Sequence, residues 1–464
     1  MTPPSKPAPP LAPRVASTRE RLLLGQARRK QVKRQAHAEW SPKDRKQAPA
    51  ALLRASTRDR VPSLVTLKNE RMACSPFAYF RGAVPVMAYD LSLIPNTGLH
   101  TQLCGDAHVR NLGAFAGPDG RLVFDINDFD ETVPGPFEWD LKRMATSLIL
   151  AGRESGVGNG RCVEAAATFL AQYREMMRLF TRMPILDVVR FQVHRLGEVG
   201  PVSTILAAAQ RSTPLHSLTV LTEPAPTTTP PTRPTRIFKT NKPVLWRLPE
   251  AEAAPIIASL KTYTDSLLRE RARFLDRYRI LDVGFKVVGT GSVGLRDYCI
   301  YLEGNGSKDP LFLQIKEEAA SAYAPYLPPS TAKDPHQGRR VVEGERAMQI
   351  QSDPFLGWTT IPDAKTGRPR DFLVRQLNDY KASLDLTTLK PSALMEYAKV
   401  SGEIFARGHA RSGDFAMLAG YIGTSERFDE AIVKFARAYA DQTEKDFEQH
   451  VKELKKQGKA PAAQ

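Results

Sequence analysis

Apolar residues recur at helical spacing over residues 163–179, where Phe169, Leu170, Tyr173, Met176 and Met177 fall on one side, and again over residues 394–408 and 428–454. Trp139-Asp140-Leu141-Lys142-Arg143-Met144 opens another such pattern running through Leu148 and Leu150, and residues 251–278 read as one long helix. Between Leu281 and about Leu377 the pattern changes to short β-branched and aromatic runs separated by glycine turns, the mark of strands. The expectation is an α+β protein: a helical lobe over 61–221, a strand-rich lobe over 249–380, and a helical segment over 381–464 packing back on the first lobe. Residues 222–248, rich in Pro and Thr, are expected to be a linker.

Composition narrows this picture at the start of the chain. The net charge is +16, but residues 1–60 hold 15 Lys+Arg against 4 Asp+Glu and so carry eleven of those sixteen charges. That stretch, with Pro-rich residues 1–12, is predicted to be a basic and largely disordered arm able to contact an acidic partner. A pI driven by one arm argues against a nucleic-acid-binding body. Cys74, Cys104, Cys162 and Cys299 are scattered without a C-x-x-C pair, which predicts a reducing compartment and a cytoplasmic protein with no zinc site. No apolar run is long enough to span a bilayer, and no signal peptide is visible.

Candidate chemistry lies in two acidic clusters. Gly105-Asp106-Ala107-His108-Val109-Arg110-Asn111 places Asn111 five residues after Asp106, the spacing of a phosphoryl-transfer loop. In such a loop the Asp orients or deprotonates an acceptor hydroxyl and the Asn holds the metal that carries the nucleotide phosphates. Asn127-Asp128-Phe129-Asp130-Glu131 follows an apolar run and offers Asp128 as a second oxygen ligand. Magnesium suits such a set, since it takes one or two carboxylates from protein and fills the rest with water and phosphate.

A third motif, Gly289-x-Gly291-Ser292-x-Gly294, follows the β-branched run Val287-Val288. Tyr298–Leu302 after it reads as a strand, not the helix that a dinucleotide site requires. Leu295-Arg296 stands where a Walker A loop needs Lys and Ser or Thr. Strand, glycine loop, strand, turn and a third strand ending in Lys316 match the nucleotide lid of protein kinases. There a helix glutamate orients the lysine, and Glu343, with Glu345 as the alternative, is its candidate.

These motifs, with Gly135-Pro136-Phe137-Glu138-Trp139-Asp140-Leu141-Lys142-Arg143 and Ala406-Arg407-Gly408-His409-Ala410-Arg411, resemble an uncharacterised bacterial family, domain of unknown function 2252, over roughly Pro62 to His450. They are also similar to aminoglycoside phosphotransferases and other kinase-like enzymes. That likeness implies ATP and Mg2+ as cofactors, Asp106 as catalytic base, Asn111 and Asp128 as metal ligands, and His108 and Asp140 as braces of the loop. Gly289, Gly291, Ser292, Gly294, Lys316 and Glu343 would hold the nucleotide. Kinases carry the glycine loop before the catalytic loop. Here the order is reversed, which implies a kinase-like two-lobed fold with circularly permuted lobes.

The leading expectation is an ATP-dependent phosphotransferase with a small-molecule acceptor, because residues 129–139 between Asp128 and Asp140 are too few for a long activation segment. A nucleotidylyl transferase or a non-catalytic nucleotide-binding module on the same fold are the alternatives. A metallophosphohydrolase ranks below them, since two-metal sites need clustered His and carboxylates and only 8 histidines occur.

Overall fold

Ser17 caps a helix reciprocally with Glu20, and Leu22 on that helix packs against the main hydrophobic core. The computed structural model describes residues 16–193, 198–226, 235–287, 289–329, 334–377, 382–386 and 389–457. The Pro-rich residues 1–12 and Pro230, Pro231 and Pro234 of the expected linker lie outside them.

The fold is α+β with a helical C-terminus. One layer is helical, built around Glu138–Glu154, Asn159–Phe180, Pro391–Ser412 and Arg427–Lys456. Their apolar faces share one core, in which Leu141, Leu148, Phe169, Ile404 and Ile432 are fully buried. The C-terminal helices thus bury the same surface that the first helices present. Two small sheets lie at the edge of this layer, His100–Leu103 with Val133–Pro136, and Ala382–Ser383 with Leu112–Ala116 and Leu122–Ile126.

The other layer is a six-stranded antiparallel sheet. Its spatial order is Gly357–Pro362, Pro369–Gln376, Pro310–Glu317, Asp297–Glu303, Arg279–Lys286 and Leu245–Arg247. The helix Gln337–Met348, which lies in sequence between the third and fourth of the five longer strands, packs on Pro369–Gln376. Glu250–Ser266 covers Gly357–Pro362. Residues 251–278 are two helices and not one, broken at Leu267-Leu268 before Arg269–Leu275.

Two expected boundaries change. Residues 16–60 are not a solvated arm: they form Thr18–Arg28, Arg34–Ala38, Pro42–Asp44 and Pro49–Ala55. Their cations are used inside the fold. Arg29 donates to the carbonyl of Tyr421 (2.8 Å) and Arg34 to that of Ile422 (2.8 Å), satisfying carbonyls left over at the end of helix Phe415–Ile422. Arg45 bridges Asp90 (2.6 Å) and Asp446 (2.8 Å). Those charges are spent on intramolecular contacts, so an acidic partner cannot be argued from them. The segment 222–248 is also not a plain linker, because Thr222–Pro224 pairs with Arg236–Phe238 and Leu245–Arg247 joins the large sheet. Among the described residues no helix is long and apolar enough to cross a membrane.

Candidate functional site

Gly105 sits at φ +82, and a Cβ there would lie 2.2 Å from the Glu131 carbonyl oxygen, so only glycine lets the two acidic clusters come this close. Asp140, in the first turn of Glu138–Glu154, then accepts the N–H groups of Cys104 (2.8 Å) and Gly105 (3.0 Å) and lies 3.4 Å from His409 Nε2. Tyr323 donates to the Gly105 carbonyl and Tyr397 to that of Val109. Every turn of the loop is therefore tied to a helix or a buried tyrosine.

Asp106 faces the cleft with its charge already matched. The fully buried Arg143, one turn after Asp140, donates to Asp106 Oδ1 through Nε (2.9 Å) and Nη2. Burial alone would raise the carboxyl's pKa. The Arg143 guanidinium, helped by His108, outweighs burial and holds it well below the ordinary range. His108 Nε2 lies 3.5 Å from Asp106 and 3.4 Å from Arg81 Nε, while burial lowers the imidazole's pKa and keeps it neutral. Asp106 is therefore held in its ionised form, the form that can accept a hydrogen bond or a proton.

Asn111 joins the clusters. Its Nδ2 donates to the carbonyls of Asp106 (3.0 Å) and Asp128 (2.8 Å), and its buried Oδ1 has no hydrogen-bond partner. A buried acceptor left open costs stability, and a bound cation would satisfy it. Among the described residues no group of three or more His, Cys, Asp and Glu has metal-holding geometry, so a cation here would rest on a mixed set such as Asn111 and Asp128.

Lys316, one residue before the end of the strand Pro310–Glu317, reaches across to the acidic cluster. It donates to Asp128 Oδ1 at 3.4 Å and to both carboxylate oxygens of Asp130. Burial disfavours its charge, but Asp128, Asp130 and Glu318 more than compensate and raise its pKa above the usual lysine value. Burial, with Asp128 nearby, pushes Asp130 up to about 7. Glu343 is not the lysine's partner: it is half exposed and pairs with Arg339 at 2.7 Å one helical turn away. Glu345 lies buried on the inner side of the same helix.

The glycine loop bends over this lysine. Gly289, Gly291 and Ser292 line a cleft of about 360 Å³ together with Lys316, Asp106, His108, Asn111 and Asp128. Gly294, at φ +95, sits at the loop's far end, where its carbonyl accepts the Val61 N–H (2.7 Å) and a Cβ would touch Arg60. The loop's carbonyls are held from outside: Lys68 donates to those of Thr290 (3.3 Å) and Gly291 (2.9 Å), Arg71 to Gly289 and Arg60 to Val293. The backbone of the second acidic cluster is held from the lid, by Arg340 to the Asp130 carbonyl and Arg375 to that of Asn127.

Sequence reasoning thus missed Arg143, Asp130, Arg81 and the cations 60–71. Arg143 carried a visible signal, since Asp140 and Arg143 are three apart on one helix and must face the same loop. Asp130 lay in a quoted motif, but only the fold shows which carboxylate the lysine meets.

The architecture is a two-layered α+β protein in which the two acidic clusters, Lys316 and part of the glycine loop line one cleft. The model of the family described as "Uncharacterized protein conserved in bacteria (DUF2252)" matches residues 60–453, and the chain belongs to that family. No curated protein and no solved structure matches it.

Proposed function

We propose that the protein is an ATP- and magnesium-dependent phosphotransferase acting on a small-molecule acceptor, on a circularly permuted kinase-like fold. One observation carries this reading. Lys316 and the glycine loop, almost two hundred residues downstream of Asp106, Asn111 and Asp128, line the same cleft. The sheet order supports it too: hairpin with glycine loop, lysine strand, helix, then two strands with the last one beside the lysine strand, as in a nucleotide lid.

In this reading the loop N–H groups and Lys316 take the phosphates, and Asn111 Oδ1 and Asp128 hold magnesium. Asp106 orients the acceptor hydroxyl. Its low basicity fits a loose phosphoryl-transfer transition state, in which the proton leaves late and positioning outweighs base strength. Lys316 exchanges its present carboxylates for phosphate oxygens when nucleotide binds.

The test is direct. ATP with magnesium raises the thermal midpoint, and ATP with EDTA raises it less; a ligand at a hundredfold excess over Kd stabilises by about 2.7 kcal/mol. Asp106→Asn keeps that shift and cuts turnover by roughly 10²–10⁴-fold. Following both α- and γ-labelled ATP separates phosphoryl from nucleotidylyl transfer. No midpoint shift at millimolar ATP removes the proposal.

A further inference from the structure

The cleft is electrically lopsided. Towards the lid, the single ammonium of Lys316 meets Asp128 and Asp130, with Glu318 also near enough to favour its charge. Towards Asp106 the balance reverses. The Asp106 charge is matched from below by Arg143, and Arg81 and Arg110 then add two guanidinium groups to the cleft wall. Among the described residues neither has a carboxylate within salt-bridge distance, and Arg81 Nε donates to Nε2 of the neutral His108 at 3.4 Å. Burial, and then the charge of Arg110, lower the pKa of Arg81, against the smaller and opposite influence of Asp106, Asp128 and Glu154, so the two guanidinium groups stand close enough to repel each other. The other two arginines of the cleft are differently employed, Arg60 on the Val293 carbonyl and Arg375 on Gln314 and the Asn127 carbonyl.

Two guanidinium groups that line one cleft wall without an ion pair of their own suit an anion. We propose, resting on the phosphotransferase reading, that the acceptor is a hydroxylated anion, a carboxylate or phosphate ester, whose charged group sits on Arg81 and Arg110 while its hydroxyl meets Asp106. Guanidinium groups bind such oxyanions in two-point fashion. The hydroxyl oxygen bonds to Pγ as the bond from Pγ to the bridging oxygen breaks. ADP leaves with that oxygen, and the hydroxyl proton passes to Asp106 and on to water. A polycationic aminoglycoside would meet two like charges here and be rejected.

The test uses the full chain saturated with AMP-PNP and magnesium, titrated with D-glycerate, D-gluconate, glucose 6-phosphate or kanamycin while the thermal midpoint is read. At least one anion gives a further rise that kanamycin does not. Arg110→Glu, an exposed position, and Arg81→Gln each weaken that anion about tenfold or more, as loss of a charge-assisted contact would, and leave the AMP-PNP rise unchanged. Four results overturn the inference: no anion adds a rise, kanamycin binds as well as the anions, the anion's affinity survives both substitutions, or the substitutions weaken AMP-PNP instead. Absence of the AMP-PNP rise in the unsubstituted protein is a different failure, that of the phosphotransferase reading itself.

Discussion

Asp106 on the helical floor and Asp297 in the sheet lid are both enclosed carboxylates, and their surroundings treat them in opposite ways. Arg143 lies directly under Asp106 and keeps it ionised. Asp297 is the cross-strand neighbour of Lys316, yet that lysine turns towards Asp128 and Asp130. Burial therefore dominates, and Asp297 is pushed up to about 6 although Lys316, the Gln314 amide (2.7 Å), Lys286 and Arg375 all favour its charge. Asp106 has a cation of its own in Arg143, whereas the buried Oδ1 of Asp297 has no hydrogen-bond partner.

Breaking the matched pair has the largest expected effect. Arg143→Ala strands a buried carboxylate, frees the Phe80 carbonyl that Arg143 also caps (3.2 Å), and empties the space over the Phe80 ring. Removing one member of a buried pair costs about 3–5 kcal/mol, to be read as a fall in the urea midpoint at unchanged slope. A midpoint like that of the unsubstituted protein would show that Asp106 does not depend on its partner.

Next in size is Lys316→Met. Asp128 and Asp130 lose their shared ammonium, and a nucleotide bound as proposed would lose a cation for its phosphates. The expected result is loss of most of the ATP–magnesium midpoint rise, about 2.7 kcal/mol at hundredfold saturation, with the fold kept. Retention of the full rise would place the nucleotide elsewhere.

The lid carboxylate then separates the two sides by pH. Asp297 titrates higher in the folded chain than in the unfolded one, at about 6 against 3.8. Its contribution to stability is therefore complete below about pH 4 and disappears as pH climbs through 6. Asp106 runs the other way: its contribution holds at neutral pH and is lost only in strong acid. Asp297→Asn should flatten the stability profile between pH 4 and 6 and leave the acid limb intact. An unchanged profile would mean that Asp297 is ionised in the fold.

These contrasts also show what the sequence discloses. The helices over residues 163–179, 394–408 and 428–454 were legible because apolar periodicity follows directly from a shared core, and the glycine loop because its turn needs glycine at positive φ. Asp106, Asn111, Asp128 and Lys316 were legible because their spacing belongs to known chemistry. Pairings between distant segments were not. Nothing near Lys316 in the chain distinguishes Asp130 from Glu343, and nothing near Arg29 or Arg34 says that the carbonyls of Tyr421 and Ile422 await them. A charge-rich stretch looks alike whether its cations meet solvent or helix ends.

The smallest expected effect is the sharpest check on the lysine's partner. Glu343 and Arg339 form a surface pair at i, i+4 on helix Gln337–Met348, and pairs of this kind contribute little. Glu343→Ala should leave the thermal midpoint and the ATP–magnesium rise where they are. Asp130→Asn, in contrast, removes a carboxylate from Lys316 itself and should alter the rise. If Glu343→Ala weakened nucleotide binding as much as Asp130→Asn, the helix would have to turn its outer face inward when nucleotide binds. Lys316 would then trade Asp130 for Glu343, and the arrangement described here would be the open half of a two-state lid.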